Sequence, residues 1–330
     1  MKHYNDAFIR RAVSLADLDA VRVALYHNTG DEELTEIPVA AKLSSADKQK
    51  LIDKAVNWLS ANAGPRQLPE PHLSDLRKMT DMVTGKIAGD LEFSARREIT
   101  GFGAFPYLVD WNDGRPPIPA GFKVAVIGCG FAGITAGVQL DMLGIDYDVY
   151  ERRAEGGGVW SINRYPDVRV DTMSVTYDFL FEKEYVWSEY FARGPEVRSY
   201  LNYASKKYGV YDKTHFEHDL QRATFDQVRD VWVLDIATPH GSKTVEANFI
   251  ITASGLFATP MIPKFEGQEN FHGRIVHTTL WPDDLEIAGK NVAVIGNGST
   301  GVQLLGAVAQ EAQQVHCFQR TPQWISPRDK

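Results

Sequence analysis

Two stretches of this chain repeat one plan: a short apolar strand, a glycine-rich turn, a helix and a second strand. The first is KVAVIGCGFAGITAGVQLDMLGIDYDVYE, residues 123–151. The second is NVAVIGNGSTGVQLLGAVAQEAQQVHCFQR, residues 291–320. Each carries G-x-G-x-x-G directly after the strand, at Gly128, Gly130 and Gly133 and again at Gly296, Gly298 and Gly301. The first glycine permits a tight turn, the second lets a pyrophosphate reach the backbone, and the third lets helix and strand pack closely. The helix N-terminus then faces the phosphates. A lone motif of this kind says little, but a strand before it and a helix after it are the context it requires.

The two second strands end differently. Glu151 closes the first unit, 18 residues beyond Gly133, and Arg320 closes the second, 19 residues beyond Gly301. A carboxylate there accepts from a free ribose 2′-hydroxyl and repels a 2′-phosphate, whereas a guanidinium binds the phosphate. The first unit therefore suits FAD or NAD, and the second suits NADP. Together they predict a flavoprotein reduced by NADPH.

Composition sets outer limits. The chain has 330 residues, 44% of them hydrophobic, and a formal net charge of −8. With no long basic run, nucleic acid is not the expected partner. No apolar run reaches the length of a membrane span. The start, MKHYNDAFIRR, is polar and leads into no signal-type apolar core. Cys129 and Cys317 are the two cysteines, and neither has metal-type neighbours, so no metal site is expected. A cytoplasmic protein is the expectation.

The rest of the chain supplies the frame. Residues 1–117 read as a helical extension. DLDAVRVALYHNTG ends on Gly30, SSADKQKLIDKAVNWLSANAG runs from a Ser-Ser-Ala-Asp start to a glycine, and PHLSDLRKMTDMVTGK is a third helix. The Pro- and Gly-rich stretch WNDGRPPIPAG, residues 111–121, reads as a linker. Residues 155–215 read as irregular and aromatic-rich. DVWVLDIATPHG and SKTVEANFIITAS read as strands, with a hairpin between the first pair. The expected fold class is α/β, with two Rossmann-like dinucleotide-binding units, the second incomplete, after an all-α extension. The expected domains are 1–117, then 118–270 for the FAD unit, 271–288 as a linker and 289–330 for the NADP unit.

Between the two units lies FHGRIVHTTLWP, residues 271–282. It matches F-x-G-x-x-x-H-x-x-x-W-P at Phe271, Gly273, His277, Trp281 and Pro282, and so resembles the fingerprint of Baeyer–Villiger flavin monooxygenases. GGVWSINRYPDVRVD is similar to that family's G-G-T-W-x-x-N-x-Y-P-G-x-x-x-D segment at Gly157, Gly158, Trp160, Asn163, Tyr165, Pro166 and Asp171. Val159 stands where Thr is usual, and Asp167 where Gly is usual. FQRTPQW, residues 318–324, resembles the stretch after the family's NADP-side strand. The helical extension resembles that of the 4-hydroxyacetophenone monooxygenase group.

The resemblance implies that NADPH reduces FAD, that O₂ reacts with the reduced flavin, and that one oxygen is inserted beside a ketone carbonyl to give an ester or lactone. It implies site residues as well. Asp171 would be the acidic residue near the flavin that orients an arginine. Tyr177 and Trp160 would pack beside the flavin with Gly158 and Val159, and the backbone of Leu220 would meet the adenine. Ser299 and Thr300 would join the second turn, and Thr321 would join Arg320, in holding NADP. By type His277 is a candidate acid or base; the resemblance instead makes it part of a linker that relays the position of the NADP unit.

Some of the family pattern is not found in these residues. The G-x-K-R segment bearing the family's active-site arginine is absent, and ITASG departs from the usual A-T-G at Ser254. The expectation is an N-terminal part of a longer architecture, with weak or absent turnover by itself. A homodimer or a complementing C-terminal chain is the expected protein partner. Two alternatives remain open: a flavin monooxygenase that oxygenates nitrogen or sulfur, and a non-catalytic nucleotide-binding fragment or subunit.

Overall fold

The computed structural model describes residues 5–62, 71–100 and 114–326, with backbone only at 98–100. The chain divides into two compact units, Met1–Asp110 with Leu180–Val186, and Trp111–Phe179 with Trp187–Lys330.

The first unit is helical: α1 (Asp6–Leu15), α2 (Leu18–Thr29), α3 (Glu33–Glu36), α4 (Ser45–Ala61), α5 (Leu73–Thr84) and α6 (Asp90–Thr100). Local chemistry sets its ends. Asp17 accepts from the amides of Asp19 and Ala20 at the start of α2, and Gly30, in the left-handed region at φ 66°, stops it. Ser44 caps α4 by accepting from Asp47 N, and Gly85 stops α5 at φ 65°. α4 ends at Asn62; the glycine expected to end it, Gly64, lies outside the described residues, as do residues 111–113 of the expected linker. Helices α1 and α6 were not expected. α1 is capped by Asn5, a polar residue in a start that otherwise shows little periodicity. Leu34, Leu51, Ile52, Val56, Leu76, Met79 and Met82 form the core of the unit. Each such side chain contributes roughly 1.5–3 kcal/mol by leaving water.

The second unit begins with β1 (Lys123–Ile127), α7 (Phe131–Leu143) and β2 (Asp146–Glu151), the first repeat of the sequence plan. Next come α8 (Val159–Ile162) and α9 (Gly194–Lys207), then β3 (Thr214–Phe216), β4 (Asp219–Asp226), β5 (Val231–Thr238), β6 (Gly241–Ala247) and β7 (Phe249–Thr252). The second repeat is β8 (Asn291–Ile295), α10 (Ser299–Glu311) and β9 (Gln314–Phe318). β3, β2, β1 and β7 pair in that order, all parallel, so KVAVI is covered on both edges. β4, β5 and β6 form an antiparallel sheet, with the β5–β6 hairpin turning at Pro239-His240. β8 and β9 pair in parallel as a two-stranded sheet. This is an α/β fold with two Rossmann-like units after a helical one.

The stretch read as irregular, residues 155–215, contains a regular helix. α9 buries Val197, Tyr200, Leu201 and Ala204 at helical spacing. Its apolar face is built partly from tyrosine and alanine, which hid the period. Among the described residues no helix is long and apolar enough to cross a membrane.

Candidate functional site

The first glycine turn is closed by its neighbours. Gly128 has φ +105°, and a Cβ there would sit 2.6 Å from the Ala253 carbonyl oxygen. A Cβ on Gly130 would lie 3.3 Å from Gly158 Cα, and one on Gly133 would collide with the Gly128 carbonyl oxygen. The G-G-V-W segment therefore lies directly on the turn, and Gly157 N donates to Cys129 O at 2.8 Å. Gly130 offers no side chain to cap α7. An uncapped helix start leaves backbone N–H groups for an anion.

Glu151 sits at the end of β2, only 3% exposed. One carboxylate oxygen accepts from Cys129 N at 2.8 Å and the other from Arg153 N at 3.0 Å. These bonds fix the carboxylate at the turn and leave lone pairs on both oxygens. His218 N donates to the Glu151 carbonyl. Two residues on, Leu220, the second residue of β4, packs its side chain against Ala125, Tyr150, Leu234 and Ile236. Cys129 itself is buried, and burial pushes its thiol up to about 11.

An aromatic corner stands at the start of α7. Trp160 Nε1 donates to the Tyr177 hydroxyl at 3.3 Å, and their rings meet edge to face. Phe131, the first residue of α7, meets Tyr177 edge-on with ring centres 5.2 Å apart. Burial, more than the nearby Asp171 charge, raises the Tyr177 phenol above its ordinary pKa. The structure thus brings Gly130, Gly158, Val159, Trp160 and Tyr177 together. Asp171 lies beside this corner, exposed, next to the buried Val170 that packs on Phe131, Trp160 and Tyr177.

The second turn repeats the backbone without the enclosure. Gly296 has φ +108°, and no atom lies within 4 Å of a Cβ built there or on Gly298. A Cβ on Gly301 would collide with the Gly296 carbonyl oxygen. Gly298 gives α10 no side-chain cap, and Ser299 and Thr300 form its first turn. Asn297 Nδ2 donates to Gln319 Oε1 at 2.7 Å and to the Thr321 carbonyl at 2.9 Å. That pair of bonds holds exposed Arg320 and Thr321 against the turn.

The connecting segment has a defined build. The Phe271 ring folds over Gly273, where a Cβ would come within 2.5 Å of it, which explains the glycine two positions after the phenylalanine. His277 Nδ1 accepts from Thr279 N at 3.2 Å and so caps a single 3₁₀ turn, Thr278–Leu280. That bond uses the Nδ1 lone pair. Trp281 packs into a cluster with Tyr165, Val168, Ile287, Leu304 and Val308. The cluster joins the fingerprint, the segment after the first turn and the second unit's helix.

Two residues that the sequence reading passed over connect these parts. Asn297 is one. The other is Gln303, which lies between the buried Gly301 and Leu304 of α10 and bonds to Tyr165, Arg169 and Asp171. Its only sequence signal was that polarity among buried neighbours. Among the described residues no group of three or more His, Cys, Asp or Glu could hold a metal ion.

Comparison with known proteins places this architecture. Residues 125–330 match the family described as pyridine nucleotide-disulphide oxidoreductase. The chain belongs to that family. Among curated relatives of this chain, an uncharacterized monooxygenase, y4iD of Sinorhizobium fredii, is 29% identical over 341 residues, covering 98% of this chain and 50% of the relative. A Baeyer-Villiger monooxygenase of Pseudomonas aeruginosa is 35% identical over 207 residues, covering 62% of this chain and 39% of that one. A phenazine N-monooxygenase of Lysobacter antibioticus is 35% identical over 211 residues, covering 62% and 38%. A solved steroid monooxygenase bound to NADP is 33% identical with a TM-score of 0.56, covering 62% and 40%. The complex of OTEMO with FAD and NADP is 31% identical with a TM-score of 0.58, covering 64% and 41%. The chain spans about half or less of the length of these relatives.

Proposed function

We propose that the first Rossmann-like unit, residues 118–270, holds FAD, that the second, residues 289–330, holds NADP(H), and that the protein is a Baeyer–Villiger-type flavin monooxygenase acting on a ketone with O₂. The glycine cradle carries the reading. The Gly128–Gly133 turn has backbone where any side chain would stand, an uncapped helix start, and a carboxylate fixed at its rim. That set of groups fits a pyrophosphate flanked by a ribose hydroxyl, and its carboxylate would repel a 2′-phosphate. The second turn is open and has a guanidinium beside it, as a 2′-phosphate needs. Similarity to proteins solved with both cofactors supports the assignment.

In this reading Gly128, Gly130, Gly133 and Glu151 bind the FAD diphosphate and ribose. Gly158, Val159, Trp160 and Tyr177 wall the flavin side. Gly296, Gly298, Ser299, Thr300, Gly301, Arg320 and Thr321 bind NADP(H), and the backbone at Leu220 faces the adenine of FAD. Together the cofactors supply hydride and activated oxygen for inserting one oxygen atom beside a carbonyl. Asp171 places negative charge next to the aromatic corner and orients a cationic partner there. His277 holds the crossing between the two Rossmann-like units in shape, with its Nδ1 lone pair taken by the Thr279 amide. The domain limits 118–270, 271–288 and 289–330 follow from these assignments. A cytoplasmic location belongs to the same proposal, supported by two cysteines of which one is buried and neither is paired. So does a homodimer or complementing chain, supported by Ile295, Phe318 and Trp324, which stay exposed on the second unit.

The experiment is a cofactor titration. The purified chain given FAD is expected to retain it, turn yellow, and bleach under NADPH without air. A protein that retains no flavin and binds no NADP(H) would overturn the reading. Similarity to a phenazine N-monooxygenase supports a second substrate class. Aerobic assays with an aryl ketone and with a phenazine decide between them; this chain by itself is expected to turn over weakly or not at all, and what product forms is expected to be the ester.

A further inference from the structure

The geometry points to Gln303 as a positioning residue that couples nucleotide binding at the second glycine turn to the flavin side of the first glycine turn. This rests on the cofactor assignment above and adds to it a route between the two sites. Gln303 lies in the second turn of α10, five residues after the Gly298 cap. A glutamine amide has two donor hydrogens and two acceptor lone pairs, and here all four are used. The oxygen accepts from the Tyr165 hydroxyl at 3.0 Å and from Arg169 N at 3.2 Å. The nitrogen donates to the Arg169 carbonyl at 3.0 Å and to Asp171 Oδ1 at 2.5 Å. A flipped amide would set its NH₂ against the Arg169 N–H, so the network fixes the orientation.

All three partners lie within residues 165–171. In that segment Tyr165 is buried beside Leu304 and Val308 of α10, and Val170 is buried on the other side against Phe131, Trp160 and Tyr177. One side chain therefore ties the helix that receives the second nucleotide to the strip of chain that backs the first turn. It also fixes Asp171, the acidic residue of the aromatic corner. A shift of α10 on binding NADP⁺ moves the whole strip, because no hydrogen-bonding capacity of the amide is spare to let it slip. Coupling of this kind is a ratio of affinities, and it is reciprocal.

The test uses the 330-residue chain with FAD and NADP⁺ as probes. FAD affinity is read from flavin fluorescence with and without saturating NADP⁺. The wild-type ratio of the two dissociation constants is expected to be at least about fivefold. Gln303→Leu keeps the volume and removes all four bonds, and is expected to bring the ratio to within about twofold of one. Gln303→Glu sets a carboxylate against Asp171 and should also lose the ratio. Adding Asp171→Asn supplies a donor to that carboxylate and should restore the ratio in part, which a merely structural role would not produce. Tyr165→Phe removes one hydroxyl and serves if Gln303→Leu does not fold; its ratio is expected to fall between the two. Binding of both nucleotides with an unchanged ratio in the variants, or with no ratio in the wild type, overturns the coupling and leaves the cofactor assignment standing. Binding of neither nucleotide overturns both.

Discussion

The two glycine turns share a motif and differ in what surrounds them. In both, a Cβ on the third glycine would strike the carbonyl oxygen of the first, at Gly133 on Gly128 and at Gly301 on Gly296. That clash lies within the turn itself, so it recurs wherever the motif recurs. The first two glycines behave otherwise. Around Gly128 and Gly130 stand the backbones of Ala253 and Gly158, whereas around Gly296 and Gly298 there is open space. The strands follow suit. Val124, Ala125 and Val126 of β1 are buried, since β2 and β7 flank the strand, but in β8 only Val294 is buried and Ile295 is exposed. A third-position glycine and the positive φ of the first are thus demands of the turn, while the neighbours add a further demand at the first two positions of the first turn alone.

Alanine at the first position should separate the two turns most sharply. Both glycines have φ above 100°, so either substitution carries backbone strain of roughly 1–3 kcal/mol. Gly128→Ala adds a collision with a backbone carbonyl that cannot move without shifting β7. Its total cost should exceed about 4 kcal/mol, the range of a fold-breaking substitution. Gly296→Ala should cost the strain alone. Thermal melts of the two variants measure the difference, and equal losses of Tm would break the contrast.

The cysteines report the same difference chemically. Cys129 lies inside the first turn, buried, with its thiol pushed up to about 11, so at pH 8 only about one molecule in a thousand carries the thiolate. Cys317 lies exposed on β9. Iodoacetamide at pH 8 is expected to modify Cys317 at least about a hundredfold faster, as read by peptide mass spectrometry. Because the Cys129 pKa is raised, its labelling should climb only as the pH approaches 11. Comparable rates at pH 8 would mean that the first turn opens.

What the sequence disclosed follows the same divide. Strand, turn and helix were legible in both repeats because each is set by residues close together: KVAVI and NVAVI, the glycines, and the apolar helices behind them. The cap at Gly30 was legible for the same reason. Helix α9 was not, because its buried face is drawn from Tyr200 and Ala204 as well as Val197 and Leu201, and its meaning comes from packing. At the site, the glycines, Glu151 and Trp160 could be named from motif and resemblance. Beyond the polarity of Gln303 among apolar neighbours, the sequence showed no reason for Gln303 or Asn297, since their partners lie in segments brought near by the fold. His277 looked like a candidate acid or base by its type, and the fold gives it a backbone amide to cap.

The charge at the end of each second strand gives the next contrast. Arg320 is exposed beside the open turn, where a 2′-phosphate would be met by a guanidinium. Charge-assisted hydrogen bonds contribute roughly 1.5–3 kcal/mol, so Arg320→Ala should weaken NADPH binding about tenfold to a hundredfold. NADH, which lacks the phosphate, should bind as before. An equal loss for both would show that Arg320 holds the segment and does not read the phosphate.

Asn297 should produce the smallest effect and the finest distinction. It occupies the middle of the second turn, as Cys129 does in the first, yet the two residues fasten the turn in opposite ways. Cys129 presents its backbone N–H to a strand-end carboxylate, which is then held at the rim. Asn297 reaches with its side chain to Gln319 and to the Thr321 carbonyl, and so holds the segment on either side of Arg320. Two neutral hydrogen bonds are worth roughly 0.5–1.5 kcal/mol each. Their loss in Asn297→Ala leaves the guanidinium in place but lets its backbone drift. Preference for NADPH over NADH should therefore fall about threefold to tenfold, less than in Arg320→Ala. In the double variant the Asn297 effect should vanish, because the residue it positions is gone. Full additivity of the two losses would mean that Asn297 acts on the nucleotide by some route other than Arg320.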